Sequence, residues 1–223
     1  MPVKKDAVSR WLLFVAAHLF LLHLFAGTIQ WAELRVPLQL YWNSFHLDNE
    51  ISVGTWFNSM LLLGVSVSAF WVSRSTAVVM DRRPWAMIAA LFFLLSADEV
   101  GTIHEQMSRT VRLRFDLPSY LQYAWVLPAA AFVLFLTLYF ARFVFRQQKP
   151  VRNGIVSAAA IYLSGALGFE MLGAHFAATE GKETLSYILA CGVEELLEMC
   201  GCIRMMGATM QALPPQASIQ LAD

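Results

Sequence analysis

Apolar positions along this chain fall in long blocks rather than in alternation. Six blocks are broad enough to cross a bilayer as helix, which takes about 20 residues. They are Arg10–Gln30, Ile51–Ser73, Pro84–Met107, Tyr120–Phe145, Gly154–Ala178 and Thr184–Met206. The connections Arg74–Arg83, Ser108–Pro118, Arg146–Asn153 and Thr179–Glu183 are short, and Trp31–Glu50 is the longest piece between blocks. A transmembrane barrel would instead show short strands of alternating hydrophobicity. The pattern therefore predicts an all-α, polytopic integral membrane protein: one domain over residues 1–212, built as a bundle of six transmembrane helices. A flexible cytoplasmic tail is expected over residues 213–223. No small-residue cleavage site follows the first block, so it reads as a retained helix rather than a cleaved signal.

Basic residues set the expected orientation. One side of the bundle holds Lys4, Lys5, Arg10, Arg74, Arg82, Arg83, Arg142, Arg146, Lys149, Arg152 and Arg204. The other holds Arg35, Arg109, Arg112, Arg114 and Lys182. The positive-inside rule puts both termini in the cytoplasm, and the expected location is a bacterial inner (cytoplasmic) membrane. Trp31, Trp42 and Trp56 cluster at the outer ends of the first two blocks and read as interfacial anchors. In Thr110–Pro118 apolar residues alternate with charged ones. That segment reads as an interfacial stretch, or as an arginine clamp for phosphate or carboxylate groups.

Composition narrows the class further. The chain is 58% hydrophobic and 14% charged, against about 25% charged in soluble domains. Its formal net charge is zero, which gives no reason to expect a nucleic-acid partner. Cys191, Cys200 and Cys202 all fall in the last block and form neither a disulfide framework nor a paired Cys-x-x-Cys zinc site.

The chemistry lies in polar residues inside the blocks. The third contains Asp98, Glu99, His104 and Glu105, the fifth Glu170 and His175, the sixth Glu194, Glu195 and Glu198. Each ionisable group facing lipid would cost roughly 2.5–3.5 kcal/mol, so these are expected to face inward. At about 1.5 Å of rise per residue the three sets reach overlapping depths. At about 100° per residue, Asp98, Thr102 and Glu105 share a stripe. So do Cys191, Glu195, Glu198 and Cys202, with Glu194 at the edge. Glu99 and His104 are five apart, as are Glu170 and His175. Such pairs meet only around a wide cavity or through a π-bulge, which Gly101 and Gly173 would ease. The echo between the two pairs suggests a repeat of three spans. Small residues in the fifth and sixth blocks predict that the third, fifth and sixth helices are close neighbours.

So many acids at one level call for a cation. Mixed carboxylate and imidazole ligands suit a divalent transition metal such as iron, manganese or zinc. The expected ligands are Glu99, His104, Glu170, His175, Glu195 and Glu198, with Asp98 and Glu194 as general bases or supporting partners. The Glu-x-x-His signature of soluble di-iron bundles is absent, because Thr102 and Gly173 stand where histidine should. A Glu-Glu-x-x-x-Arg membrane-protease pattern fails at Met199. Haem on His104 and His175 is disfavoured by the surrounding acids. The reading is a metal-dependent membrane enzyme, an oxidoreductase or hydrolase. Its substrate would be a lipid-like or isoprenoid-like small molecule reached from the outer half of the bilayer, with membrane lipid as its other partner. A transporter or sensor of divalent cations or protons, and a purely structural polar network, are the alternatives. Ala86–Leu95 and Ile155–Leu163 are nearly all apolar, so no polar path reaches the cytoplasm, which favours an enzyme or sensor over a channel.

Overall fold

The computed structural model describes residues 5–31, 44–112, 114 and 126–214. Among the described residues every regular element is helical: α1 (Lys5–Trp31), α2 (Val53–Ser75), α3 (Val79–Gly101), α4 (Ile103–Arg112), α5 (Val126–Arg146), α6 (Lys149–Leu163), a π-helical turn (Ser164–Phe169), α7 (Glu170–Thr179) and α8 (Leu185–Ala212). Five stretches are long and apolar enough to cross a membrane: Ala7–Thr28, Val53–Ser75, Val79–Gly101, Pro128–Arg146 and Lys149–Thr179. The last of these runs through α6, the π turn and α7. The sixth predicted block became α8, whose Glu194, Glu195, Glu198 and Arg204 set it apart from the other five. It packs on α1, α2, α6, α7 and the π turn, which makes it the axis of the bundle.

Helix ends extend beyond the apolar blocks. Only Thr76–Val78 separate α2 from α3, and only Gln147–Gln148 separate α5 from α6. Backbone hydrogen bonding does not require apolar side chains, so Arg82, Arg83 and Arg152 sit on helices rather than in loops. Pro150 falls in the first turn of α6, where its missing N–H is no loss. At the start of α3, Asp81 accepts hydrogen bonds from Arg146 (2.8 Å) and Gln147 (2.9 Å), which ties the end of α5 to α3.

The third block does not run unbroken to Met107. It stops at Gly101, and Thr102 takes a left-handed conformation with φ 53°. The Thr102 N–H caps the carbonyl of Asp98 at 2.7 Å, and α4 restarts at Ile103. A left-handed residue ends a helix because it turns the chain off the helical path while still meeting a terminal carbonyl.

The expectation that the third helix neighbours the fifth and sixth needs correcting. The main partner of α3 is α2, and α2 in turn packs on α8. Three serines of α2 hold it to α3: Ser59 Oγ meets Ser96 Oγ at 3.0 Å, Ser66 Oγ donates to the Ala89 carbonyl at 2.7 Å, and Ser73 Oγ donates to the Arg82 carbonyl at 2.8 Å. Leu62, Val65, Trp85, Met199 and Cys202 fill the space between these helices and α8. The contact of α6 with α8 is as close as expected. A Cβ on Gly201 would lie 2.9 Å from the Cα of Tyr162, so the two backbones meet where only glycine fits.

Candidate functional site

A cavity of about 560 Å³ lies between α3, α5, α6 and α8. Over most of its length the walls are apolar: Leu91, Phe92 and Leu95 of α3, Phe132, Leu136 and Phe140 of α5, and Ile155 and Val156 of α6. At the end where α3 stops and α8 begins the walls become acidic. Glu99, Glu170, Glu194, Glu195 and Glu198 line that end, with Asp98 and His104 beside them and Asp48 and Glu50 above.

Sequence distance and spatial distance part company here. Asn58, fully enclosed in the second turn of α2, donates from its amide to Glu99 at 3.2 Å and to Glu198 at 3.3 Å. One side chain thus joins the acids of α3 and α8, because α2 stands between those helices. The Tyr162 hydroxyl donates to Glu198 from α6. The glycine contact at Gly201 brings the Tyr162 backbone against α8 and so sets that bond. Glu170 of α7 and Glu194 of α8 stand side by side at the acidic end of the cavity. Gly165, in the π turn, faces the Glu194 carbonyl so closely that a Cβ would sit 2.7 Å from it.

The five-residue spacings resolve differently from one another. The break at Thr102 turns His104 back onto Asp98 rather than Glu99. The His104 backbone N–H donates to Asp98 Oδ1 at 3.1 Å, and its Nδ1 meets Asp98 Oδ2 at 2.9 Å. Burial alone would lower the His104 imidazole. The Asp98 hydrogen bond and charge, with Glu170 and Glu50 further off, outweigh it and raise the group to about 9. In the fifth block the π-helical distortion lies just before Glu170 rather than between Glu170 and His175. Glu170 lines the cavity while His175 is exposed on α7 beside Phe176. The two halves of the suggested repeat therefore differ in local geometry.

A second polar cluster roofs the acidic end. His23, wholly buried in α1, meets the Ile188 carbonyl through Nε2 at 2.8 Å and accepts the Leu47 N–H at Nδ1, 3.1 Å. That assigns the ring proton to Nε2. Asp48 accepts from Tyr187 at 2.6 Å and Lys182 at 3.1 Å. These contacts dock the segment that carries Leu47, Asp48 and Glu50 over the cavity. Burial, with His23 next to it, pushes the His46 imidazole down to about 4. His18, by contrast, is exposed and bonded to the Phe14 carbonyl at 2.9 Å.

Of the residues singled out by sequence, the structure brings Asp98, Glu99, His104, Glu170, Glu194, Glu195 and Glu198 to one cavity and leaves His175 apart. Among the described residues no three His, Cys, Asp or Glu side chains form a group poised to hold a metal ion. Ser96 bonds to Ser59, and Thr55 to Asn49 and Ser52, rather than to the acids. Trp56 is exposed, as an anchor would be. Trp42 and the side chains of Trp31, Glu105, Arg109 and Arg112 lie outside the described residues, as do residues 215–223 of the tail. The role of Tyr162 had no sequence signal, since a tyrosine in an apolar block reads as core.

A family model described as Domain of unknown function (DUF8692) matches residues 11–212. No curated protein and no solved structure matches the chain.

Proposed function

The chain belongs to the family described as Domain of unknown function (DUF8692), and we propose that it is an integral membrane enzyme. In this reading it admits a lipid-like or isoprenoid-like molecule from the outer half of the bilayer and acts on it with a divalent metal ion held among the carboxylates. Both termini are cytoplasmic, α8 is the sixth span, and the membrane is a bacterial inner membrane. The observation that carries the reading is the cavity, whose long apolar part opens onto a cluster of glutamates. An apolar tail lies comfortably along such walls, and the reacting head meets the acids. The apolar cytoplasmic halves of α3 and α6 leave no polar route onward, which weighs against transport.

Glu99, Glu195 and Glu198 are the proposed ion ligands, with Glu170 and Glu194 next to them. Their carboxylates would turn toward a common ion, which when bound would act as a Lewis acid or activate water or oxygen. Asn58 and Tyr162 hold Glu198 and so set its direction. Asp98 fixes the ring of His104 at the mouth of the site, where the imidazole can hold or pass a proton.

The test is metal analysis on gently purified protein, paired with Glu198 variants. Iron, manganese or zinc near one per chain is expected, and Glu198→Gln should lower that content while the fold is kept. Glu198→Leu should also lose metal and leave the metal-free protein no less stable, since it removes one of several crowded carboxylates. The second reading, a structural network, is favoured by the Asn58 and Tyr162 bonds to Glu198. It predicts metal-free protein and a loss of about 1–3 kcal/mol per stranded partner in Glu198→Leu. That pair of results would retire the metal.

A further inference from the structure

At the opposite end of the bundle from the acids, charge is unbalanced in the other sense. Arg204 of α8 is half-buried and donates through Nε to Ser157 Oγ of α6 at 2.9 Å. Ser157 donates in turn to the Asn153 carbonyl at 2.7 Å, so it offers Arg204 a lone pair but no negative charge. Among the described residues no acid pairs with Arg204, nor with Lys149 or Arg152 in the first turn of α6. Asp81, an acid at this end, is already held by Arg146 and Gln147.

Depth makes that imbalance costly. The 28 residues of α8 rise about 42 Å, the thickness of a bilayer with its headgroups. Arg204 lies eight residues before the end of α8, and Ser157 eight residues after the start of α6, each about 12 Å in from the helix end. The headgroup layer takes up only roughly 5–7 Å of each side. The Arg204 backbone therefore sits within the hydrocarbon, and its long side chain has to reach back toward the surface. Its position around α8 is equally telling. Gly201 and Ala208 pack on α6, Met206 and Thr209 meet Gly64 and Ser68 of α2, and Gly192 meets His23 of α1. Arg204, three residues after Gly201, falls at the edge of the α6 face on the side turned away from α2. Gly207, three residues further on, has nothing within 4 Å of where a Cβ would lie. This side of α8 is thus left to lipid.

A guanidinium at such a depth is expensive unless an anion meets it, and the described protein supplies none. Lipid phosphates at the cytoplasmic surface are the anions within reach. Lys149, Asn153 and Ser157 follow one another at steps of four, so they run along one side of α6 from the surface down to Arg204. Asn153 is exposed, with an amide free to donate. We propose that the seam between α6 and α8 binds the phosphate of an anionic phospholipid of the cytoplasmic leaflet, received by the Arg204 guanidinium with Asn153 and Lys149 above it. The guanidinium fork matches phosphate geometry, and Ser157 fixes the edge that the phosphate does not use. A zwitterionic head brings an ammonium of its own, which the unmatched Lys149 and Arg152 disfavour; an anionic head offsets them. The inference rests on α8 crossing the membrane, and on neither the metal nor the occupant of the cavity.

The experiment uses full-length protein in nanodiscs of equimolar phosphatidylcholine and phosphatidylglycerol, with the lipids that stay bound read by native mass spectrometry. Phosphatidylglycerol should be retained in several-fold excess over phosphatidylcholine. Arg204→Gln should cut that retention about fivefold, the worth of one basic group at an anionic surface. Arg204→Lys keeps the charge but loses the planar fork, and should fall between. Arg142→Gln removes an exposed cation of α5 at the same end and should change nothing. Each variant is checked for an intact melting transition. Asn153→Ala alters an exposed position and should weaken retention to a smaller extent, so it carries the test if Arg204→Gln does not fold. Equal retention of the two lipids overturns the inference, as does an Arg204→Gln loss no larger than that of Arg142→Gln. Displacement of the lipid by inorganic phosphate would make this an aqueous anion site and overturn the lipid assignment. A reporter fused after Ala212 that reads external refutes the sixth span and the inference with it. Lost lipid preference with a cytoplasmic reporter refutes the inference alone.

Discussion

The crossing of α6 and α8 at Gly201 offers a sharp test of how the site is held. In Gly201→Ala the new methyl carbon would lie 2.7 Å from Tyr162 Cβ and 2.9 Å from its Cα and N. Ordinary contact begins near 3.4 Å, so the helices must separate by about 0.5–0.7 Å, the difference between those distances. The obstacle is mostly backbone and cannot rotate away. Overpacking of this kind costs about 1–3 kcal/mol. Gly207, two turns further along the same helix, has nothing within 4 Å of the corresponding position. There the same change should stabilise by up to about 1 kcal/mol, since alanine forms helix better than glycine. The two substitutions remove one residue type from one helix, yet opposite signs are expected, some 2–4 kcal/mol apart by the same two estimates. Thermal and denaturant unfolding of detergent-solubilised protein measures the difference. Gly201→Ala should also weaken the Tyr162 bond to Glu198 and lower metal content, whereas Gly207→Ala should not. A Gly201→Ala protein as stable as Gly207→Ala would mean that the helices do not meet backbone to backbone there, and the account of how Tyr162 reaches Glu198 would fall with it.

Asn58→Leu removes the donor shared by Glu99 and Glu198 and should cost about 2–4 kcal/mol in denaturant unfolding, two buried partners being stranded; a loss under about 0.5 kcal/mol would show that α2 does not hold the acids together. Stability should vary with pH in two windows set by the histidines. His46, ordinarily near 6.5 and held at about 4, contributes fully above pH 6.5 and progressively less as pH falls toward 4. His104, raised to about 9, contributes fully below pH 6.5 and loses its share as pH rises through 9. Either displacement corresponds to about 3 kcal/mol, so melting temperature against pH should flatten on its acid limb in His46→Gln and on its alkaline limb in His104→Gln. Unchanged limbs would contradict the burial of the first and the Asp98 pairing of the second. Reporter fusions after Arg82 and Arg146 should read cytoplasmic and a fusion after Gly181 external; the reverse pattern would invert the proposed orientation.

The helical class and the set of long apolar helices follow from the sequence alone, because hydropathy is a local property and a block of some twenty apolar residues has few other fates. The inward placement of Asp98, Glu99, Glu170, Glu194, Glu195 and Glu198 was legible for the same reason: a carboxylate in an apolar block has to find polar company. Which company it finds is not local. Asn58 links Glu99 to Glu198 because α2 lies between α3 and α8, and no spacing in the sequence states that order. Asp98 rather than Glu99 holds His104 because Thr102 takes a left-handed conformation, a choice made by one backbone dihedral that residue periodicity does not encode. His175 left the site and Tyr162 joined it through the π turn and the close pass at Gly201, both products of two helices meeting at a particular height. The identity of the groups able to do chemistry is thus written along the chain. Their grouping into one cavity with long apolar walls depends on packing between segments more than a hundred residues apart, such as Asn58 and Glu198.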